Sequence, residues 1–202
     1  MKVALIGSGK MGTALGEKWV AAGHQVVYGV REPERKRVER APEGPDIPFE
    51  TIPAAIAHSQ VIVFVVPGKA MDLIIKDNAE ALAGKLLIDA TNDFEGPAFS
   101  HVESLVASAT GAKVFRAFNS LGWENFTNPV FGGTAADLFY CGPDSAEAQQ
   151  ALETLVSDVG LRPIRVGDLD QIAIVDSVLS LWLTLVRARG MGRHLAFKVL
   201  LD

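Results

Sequence analysis

Cysteine is almost missing from this chain: Cys141 is alone among 202 residues. No intramolecular disulfide framework or cysteine-cluster metal site can be built, and a reducing, cytoplasmic compartment is expected. Positive charge is in short supply too, with 19 Lys+Arg against 24 Asp+Glu, and a broad nucleic-acid footprint is not expected. His24, His58, His101 and His194 stand apart, without metal-ligand spacing, so neither a metal site nor a catalytic histidine is expected. Long apolar runs are lacking as well. Val3–Ile6 is too short for a signal-peptide core, and Val178–Val186 falls well below the roughly 20 residues a bilayer span needs. Neither nucleic acid nor membrane is expected as a partner; a small-molecule substrate is.

What remains is 49% hydrophobic and 21% charged, and a chain of this length buries about 70% of its unfolded surface without staples. Short β-branched runs alternate with helix-compatible segments over residues 1–166, the pattern of an α/β fold with a doubly wound, mostly parallel sheet. Strands are expected at Lys2–Ile6, Gln25–Gly29, Val61–Val66, Leu86–Ala90, Lys113–Phe118, Asp137–Cys141 and Arg162–Val166. Helices are expected at Met11–Ala22, Ile52–His58, Ala70–Leu82, Phe99–Ser108 and Ala146–Val159, the last ending at Gly160. Glu32–Pro48, rich in proline and charge, reads as an exposed connection. Residues 167–202 read as a helical C-terminal lobe.

Gly7-Ser8-Gly9-Lys10-Met11-Gly12 spells G-x-G-x-x-G between the first strand and the first helix. In that context the glycines serve a tight turn, a close backbone approach to a pyrophosphate, and close packing of helix on strand. Free N–H groups at the helix start then face the phosphates. The second strand ends in Val30-Arg31, where NAD-binding proteins usually carry an acid for the ribose 2'-hydroxyl. A guanidinium there suits a 2'-phosphate, so Arg31 and Arg35 point to NADP(H); the alternative is a solvated charged face over Arg31–Arg40.

Ligands in open α/β sheets bind outside the carboxyl ends of the strands. That adds Val66, Pro67, Asn92, Asn119 and Leu121 to the cofactor candidates. Asn92 and Asn119 could hold a carboxamide or ribose, or close turns on their own backbone. Trp123, Met191 and Gly192 are candidates for a second-substrate cleft. No general acid, base or nucleophile stands out, and Cys141 reads as a packed thiol.

The segments VALIGSGKMGTAL, VVYGVRE, RAFNSLGWENF, GLRPIRVGDL and VDSVLSLWLTLVRARGMGRHLAFKVL together resemble the NADPH-dependent F420 reductases, also called F420-dependent NADP oxidoreductases. The resemblance implies a Rossmann domain with a small C-terminal lobe and hydride exchange between NADP(H) and the deazaflavin coenzyme F420. It also implies that Gly7, Ser8, Gly9, Lys10 and Met11 cradle the pyrophosphate, that Pro67, Asn119 and Leu121 line the nicotinamide side, and that Met191 and Gly192 lie near the second ring. Val30 stands where archaeal members usually offer serine. R-A-F-N-S-L-G is similar instead to the reductase domain of the STEAP metalloreductases, where NADPH reduces a flavin. A flavin (FMN or FAD) acceptor, a small carbonyl or imine substrate, and a non-catalytic NADP sensor are therefore the alternatives. Ile172, Val175, Leu179, Trp182, Leu183 and Val186 form one helical stripe, widened by Ile174, Val178, Leu181 and Leu185, and a homodimer through this helix is expected.

Overall fold

The computed structural model describes residues 1–39 and 44–202. In chain order its strands are β1 (Lys2–Ile6), β2 (Gln25–Val30), β3 (Phe49–Thr51), β4 (Val61–Phe64), β5 (Leu86–Asp89), β6 (Lys113–Arg116), β7 (Val130–Phe131), β8 (Thr134–Ala135), β9 (Asp137–Cys141) and β10 (Arg162–Gly167). Its helices are α1 (Lys10–Ala21), α2 (Pro33–Glu39), α3 (Ile52–His58), α4 (Met71–Leu82), α5 (Val102–Ser108), α6 (Trp123–Thr127), α7 (Ala146–Val159) and α8 (Ile172–Leu183). β7 and β8 make a small hairpin; the other strands form one sheet in the order β10-β9-β6-β5-β4-β1-β2-β3. Every neighbouring pair is parallel except β6 and β9, which meet antiparallel at Arg116 and Cys141.

Two-faced burial explains the apolar strands. Val3 and Leu5 pack into the core under α1 and α7, while Ala4 and Ile6 pack into the core shared with α3 and α4. Helix α1 lays Leu15 and Trp19 into the first core, and Trp19 Nε1 donates to Leu155 O at 2.9 Å. Gly160 ends α7 in the left-handed region at φ 97°, as its sequence position suggests.

The expected strands at Val61–Val66 and Lys113–Phe118 stop earlier, at Phe64 and Arg116. Their last residues become edge loops, at the end of the sheet where open α/β folds generally bind ligands. Glu32–Pro48 is not simply an exposed connection, because it carries α2, and Ile47 is buried in the core. Arg40 lies outside the described residues.

The C-terminal lobe is helical only as far as Ala188, where a π-helical turn (Thr184–Ala188) ends the run that α8 begins. Residues 193–199 then double back along the sheet. Asp137 N donates to Phe197 O, Trp182 Nε1 donates to Leu195 O, and Val199 N donates to Asp137 Oδ2. With its turns, Leu169–Ala188 has the length and composition of a membrane span, which the interrupted apolar run in the sequence did not suggest. Its Val175, Leu179 and Trp182 edge is nevertheless buried against the sheet, and Asp176 is bonded to Arg116. Insertion into lipid would break those contacts.

Candidate active site

The chain runs β1, β2, β3 outward to one side and returns to β4 on the other, so the crevice of the sheet opens at the carboxyl ends of β1 and β4. The glycine loop sits there. Its glycines meet three different steric demands. Gly7 has φ +118°, and a Cβ on it would lie 2.9 Å from Val65 O and 3.2 Å from Val66 Cγ1, which joins the loop to the end of β4. Gly12 allows α1 to pack down, since a Cβ there would lie 2.5 Å from Gly7 O. Gly9 faces open space within 4 Å, and no side chain caps α1, so its first N–H groups remain available to an anion. This cradle fits a pyrophosphate.

Arg31 follows β2 directly and is exposed; Arg35 is exposed and ion-paired with Glu32 at 3.0 Å. Two arginines thus stand beyond β2 with no acid at its last residue. On the other side of the loop, Val66 and Pro67 lead into a turn pressed against Asp93, so close that Gly68 has no room for a Cβ. Lys10 Nζ lies 5.2 Å over the Trp123 ring. Leu121 is buried just before α6. Arg193 bonds Glu124 at 2.6 Å and stacks 5.2 Å from Trp182, bringing the segment after Gly192 beside α6. Met191, 62% exposed, stands at that rim. Trp123, Met191 and Gly192 therefore belong to neighbouring segments, as a second-substrate cleft requires.

Asn92 and Asn119 are brought together: Asn92 Nδ2 donates to Asn119 O at 2.9 Å. They belong to a buried charged network that the sequence did not reveal. Arg116, fully buried, donates from Nε and Nη2 to Asp176 Oδ1 at 2.9 and 2.8 Å. Its Nη2 also reaches Asn92 Oδ1, and its Nη1 reaches Thr91 O. Asp89, equally buried, lies 3.4 Å from Arg116 and accepts from Thr91 N, Thr91 Oγ1 and His101 N. Burial lifts the Asp176 carboxyl above its ordinary range, and the Arg116 charge pulls it only part of the way back. A lone arginine closing an apolar strand and a lone aspartate in an apolar helix were the available signals.

The remaining titratable candidates fit structural roles. His24 bridges the Met1 amino group and Asp158; His101 lies against Thr91 and Asp93. Burial pushes the Cys141 thiol up to about 12, which makes it a poor nucleophile. A cavity of about 450 Å³ lies at the opposite, amino ends of the strands, lined by Lys2, Gln25, His58, Gln60 and Lys85. Its place on the sheet is wrong for a dinucleotide.

Residues 2–93 match the model of the family described as NADP oxidoreductase coenzyme F420-dependent. The F420-dependent NADP reductase of Methanothermobacter thermautotrophicus is 26% identical, with 92% of this chain and 89% of that protein covered. Metalloreductase STEAP3 of Rattus norvegicus is 27% identical over 88% of this chain, which spans only 36% of that protein. A solved structure from Arthrobacter sp. FB24, whose suggested activity is F420-dependent NADP reduction, superposes with a TM-score of 0.85 at 25% identity, all of both chains being covered. The chain thus resembles the F420-dependent NADP oxidoreductase family from the glycine loop to the C-terminal lobe, and it spans about a third of the length of some curated relatives it matches.

Proposed function

We propose that the protein transfers a hydride between NADP(H) and a planar deazaflavin, coenzyme F420 first, with a flavin such as FMN or FAD as the alternative acceptor. The observation that carries it is the edge just described: an open backbone cradle at Gly9 flanked by arginines on one side and by an aromatic and glycine-bearing rim on the other. Bound NADPH supplies the hydride at its nicotinamide ring. Gly7–Met11 hold the pyrophosphate, Arg31 and Arg35 meet the 2'-phosphate, and Asn92 and Asn119 fix the nicotinamide end. Trp123 and the Met191–Gly192 segment align the second ring and exclude water. Face-to-face alignment is most of what such a transfer needs.

Anaerobic mixing of the purified protein with NADPH and F420, FMN or FAD tests this directly. Rapid bleaching of NADPH with F420 is expected. Oxidation by a carbonyl or imine alone would replace the acceptor, and tight NADPH binding without oxidation by any of them would turn the reading to a redox sensor. We also propose a cytoplasmic homodimer. Ile174 and Leu181 on α8 are 53% and 50% exposed, an apolar face that a second copy would cover. Light scattering should give a dimeric mass, and Leu181→Glu a monomeric one.

A further inference from the structure

The end of β6 holds a device that cofactor binding by the glycine loop leaves unexplained. Phe118 is the single non-glycine residue with positive φ, +61°, among the described residues. It is fully buried, with its ring edge-on to Trp19 at 5.8 Å and Phe126 at 5.9 Å. Bulky residues adopt the left-handed region only where the surroundings impose it, and such positions gather at functional sites. Here the reversal ends the strand direction and delivers Asn119 to the charged network.

Asn119 is 2% exposed, and the two ends of its amide are treated differently. Nδ2 donates to Asp176 Oδ1 at 3.0 Å, whereas Oδ1 has no partner among the described residues. The orientation is determined, because a flipped amide would set oxygen against a carboxylate that only accepts. Asp176 is itself held by Arg116 from two nitrogens, and the Asn119 carbonyl is held by Asn92. An acceptor fixed so firmly, buried and left without a donor, is costly unless a donor arrives from outside the chain.

The topology says which donor. With the pyrophosphate at the end of β1 and the 2'-phosphate beyond β2, the other half of the dinucleotide runs over the ends of β4, β5 and β6. The nicotinamide carboxamide is the neutral N–H donor on that half. We propose that Asp176 is a positioning residue: through Asn119 Nδ2 it keeps Asn119 Oδ1 turned as the acceptor for the carboxamide N–H. The assignment rests on the NADP(H) reading above, and it ties the C-terminal helix to the orientation of the nicotinamide ring.

The test compares dissociation constants for NADP⁺ and for its 3-acetylpyridine analogue, in which a methyl ketone replaces the carboxamide and no N–H remains. Wild-type protein should prefer NADP⁺ by about tenfold or more, since a site built to hydrogen-bond a group rejects the analogue lacking it. Asn119→Ala, which leaves the Arg116–Asp176 pair intact, should abolish the preference. Asp176→Ala, which removes the oxygen that accepts from Asn119 Nδ2 and frees the amide to turn, should reduce it to about threefold or less. Asp176→Glu, which keeps the charge but moves the carboxylate away from Asn119, should do the same and serves if Asp176→Ala does not fold. Wild-type protein that binds both dinucleotides equally overturns the carboxamide assignment. A folded Asp176 variant with the wild-type preference overturns the role of Asp176. Wild-type protein that binds neither defeats the NADP(H) reading itself, a separate failure.

Discussion

The glycine loop and the Asp176 network stand at the same edge of the sheet and are made by opposite means. The loop works by subtraction: Gly7 and Gly12 occupy places where a Cβ would collide with backbone, and Gly9 leaves its side empty. The network works by addition, filling the ends of β5 and β6 with Arg116, Asp89 and Asp176 and satisfying them with Asn92, Asn119 and Thr91. One half of the edge is thereby left open to an anion, and the other is pre-set around charges already paired. In the proposed function, the charged end and the neutral ring of the dinucleotide call for that difference.

The comparison breaks most visibly at Arg116. Arg116→Met leaves the buried Asp89 and the partly buried Asp176 without their cation, and a loss of about 3–5 kcal/mol is expected in urea unfolding. Gly12→Val should damage the loop by crowding, raising the NADPH dissociation constant at least about 100-fold while costing about 1–3 kcal/mol of stability. Gly9→Val is the sharper control: its Cβ has room in the free chain, so stability should stay within about 0.5 kcal/mol while NADPH binding falls. An unaltered dissociation constant would remove the pyrophosphate from Gly9. Arg31→Ala should raise the Michaelis constant for NADPH about tenfold and leave that for NADH nearly unchanged.

The smallest effect is pH dependence. Burial pushes the Asp137 carboxyl up, but hydrogen bonds from Arg162, Val199 N and Lys198 outweigh it and hold the carboxyl below its ordinary value. Its stabilisation is full above the unfolded carboxyl pKa of about 4 and is lost as pH falls through the lower folded value. Asp176, held high, has the opposite sign: its contribution is full below about 4 and declines as pH rises through the raised value. Stability measured from pH 3 to about 7 should therefore lose part of its acid limb in Asp137→Asn, whereas Asp176→Asn should flatten the rise in instability on the other side. Identical pH profiles for both variants would contradict the assignment of opposite shifts.

What could be read from the residues alone follows the range of the interactions. The strands at Lys2–Ile6 and Asp137–Cys141, the helix Ile52–His58 and the cap at Gly160 agree with their expected bounds, because apolar period and glycine conformation act over a few residues. Short elements escaped: β3, with three residues, and α6, with five, are too brief for any period to show. The glycine loop was legible because its chemistry lies in consecutive residues. Arg116, Asn119 and Asp176 were not legible as a unit, since they lie on a strand, a loop and a distant helix.

The sequence by itself determined the doubly wound sheet, the place of the glycine loop between β1 and α1 and the arginines after β2, for these follow from local pattern and backbone sterics. Only the tertiary structure decided that α8 lies along the sheet with Asp176 facing Arg116 and that the last residues double back to Asp137. The reason is physical: a buried charge is tolerable only beside its partner, and which partner it has is settled when the chain packs, not by the order of its residues.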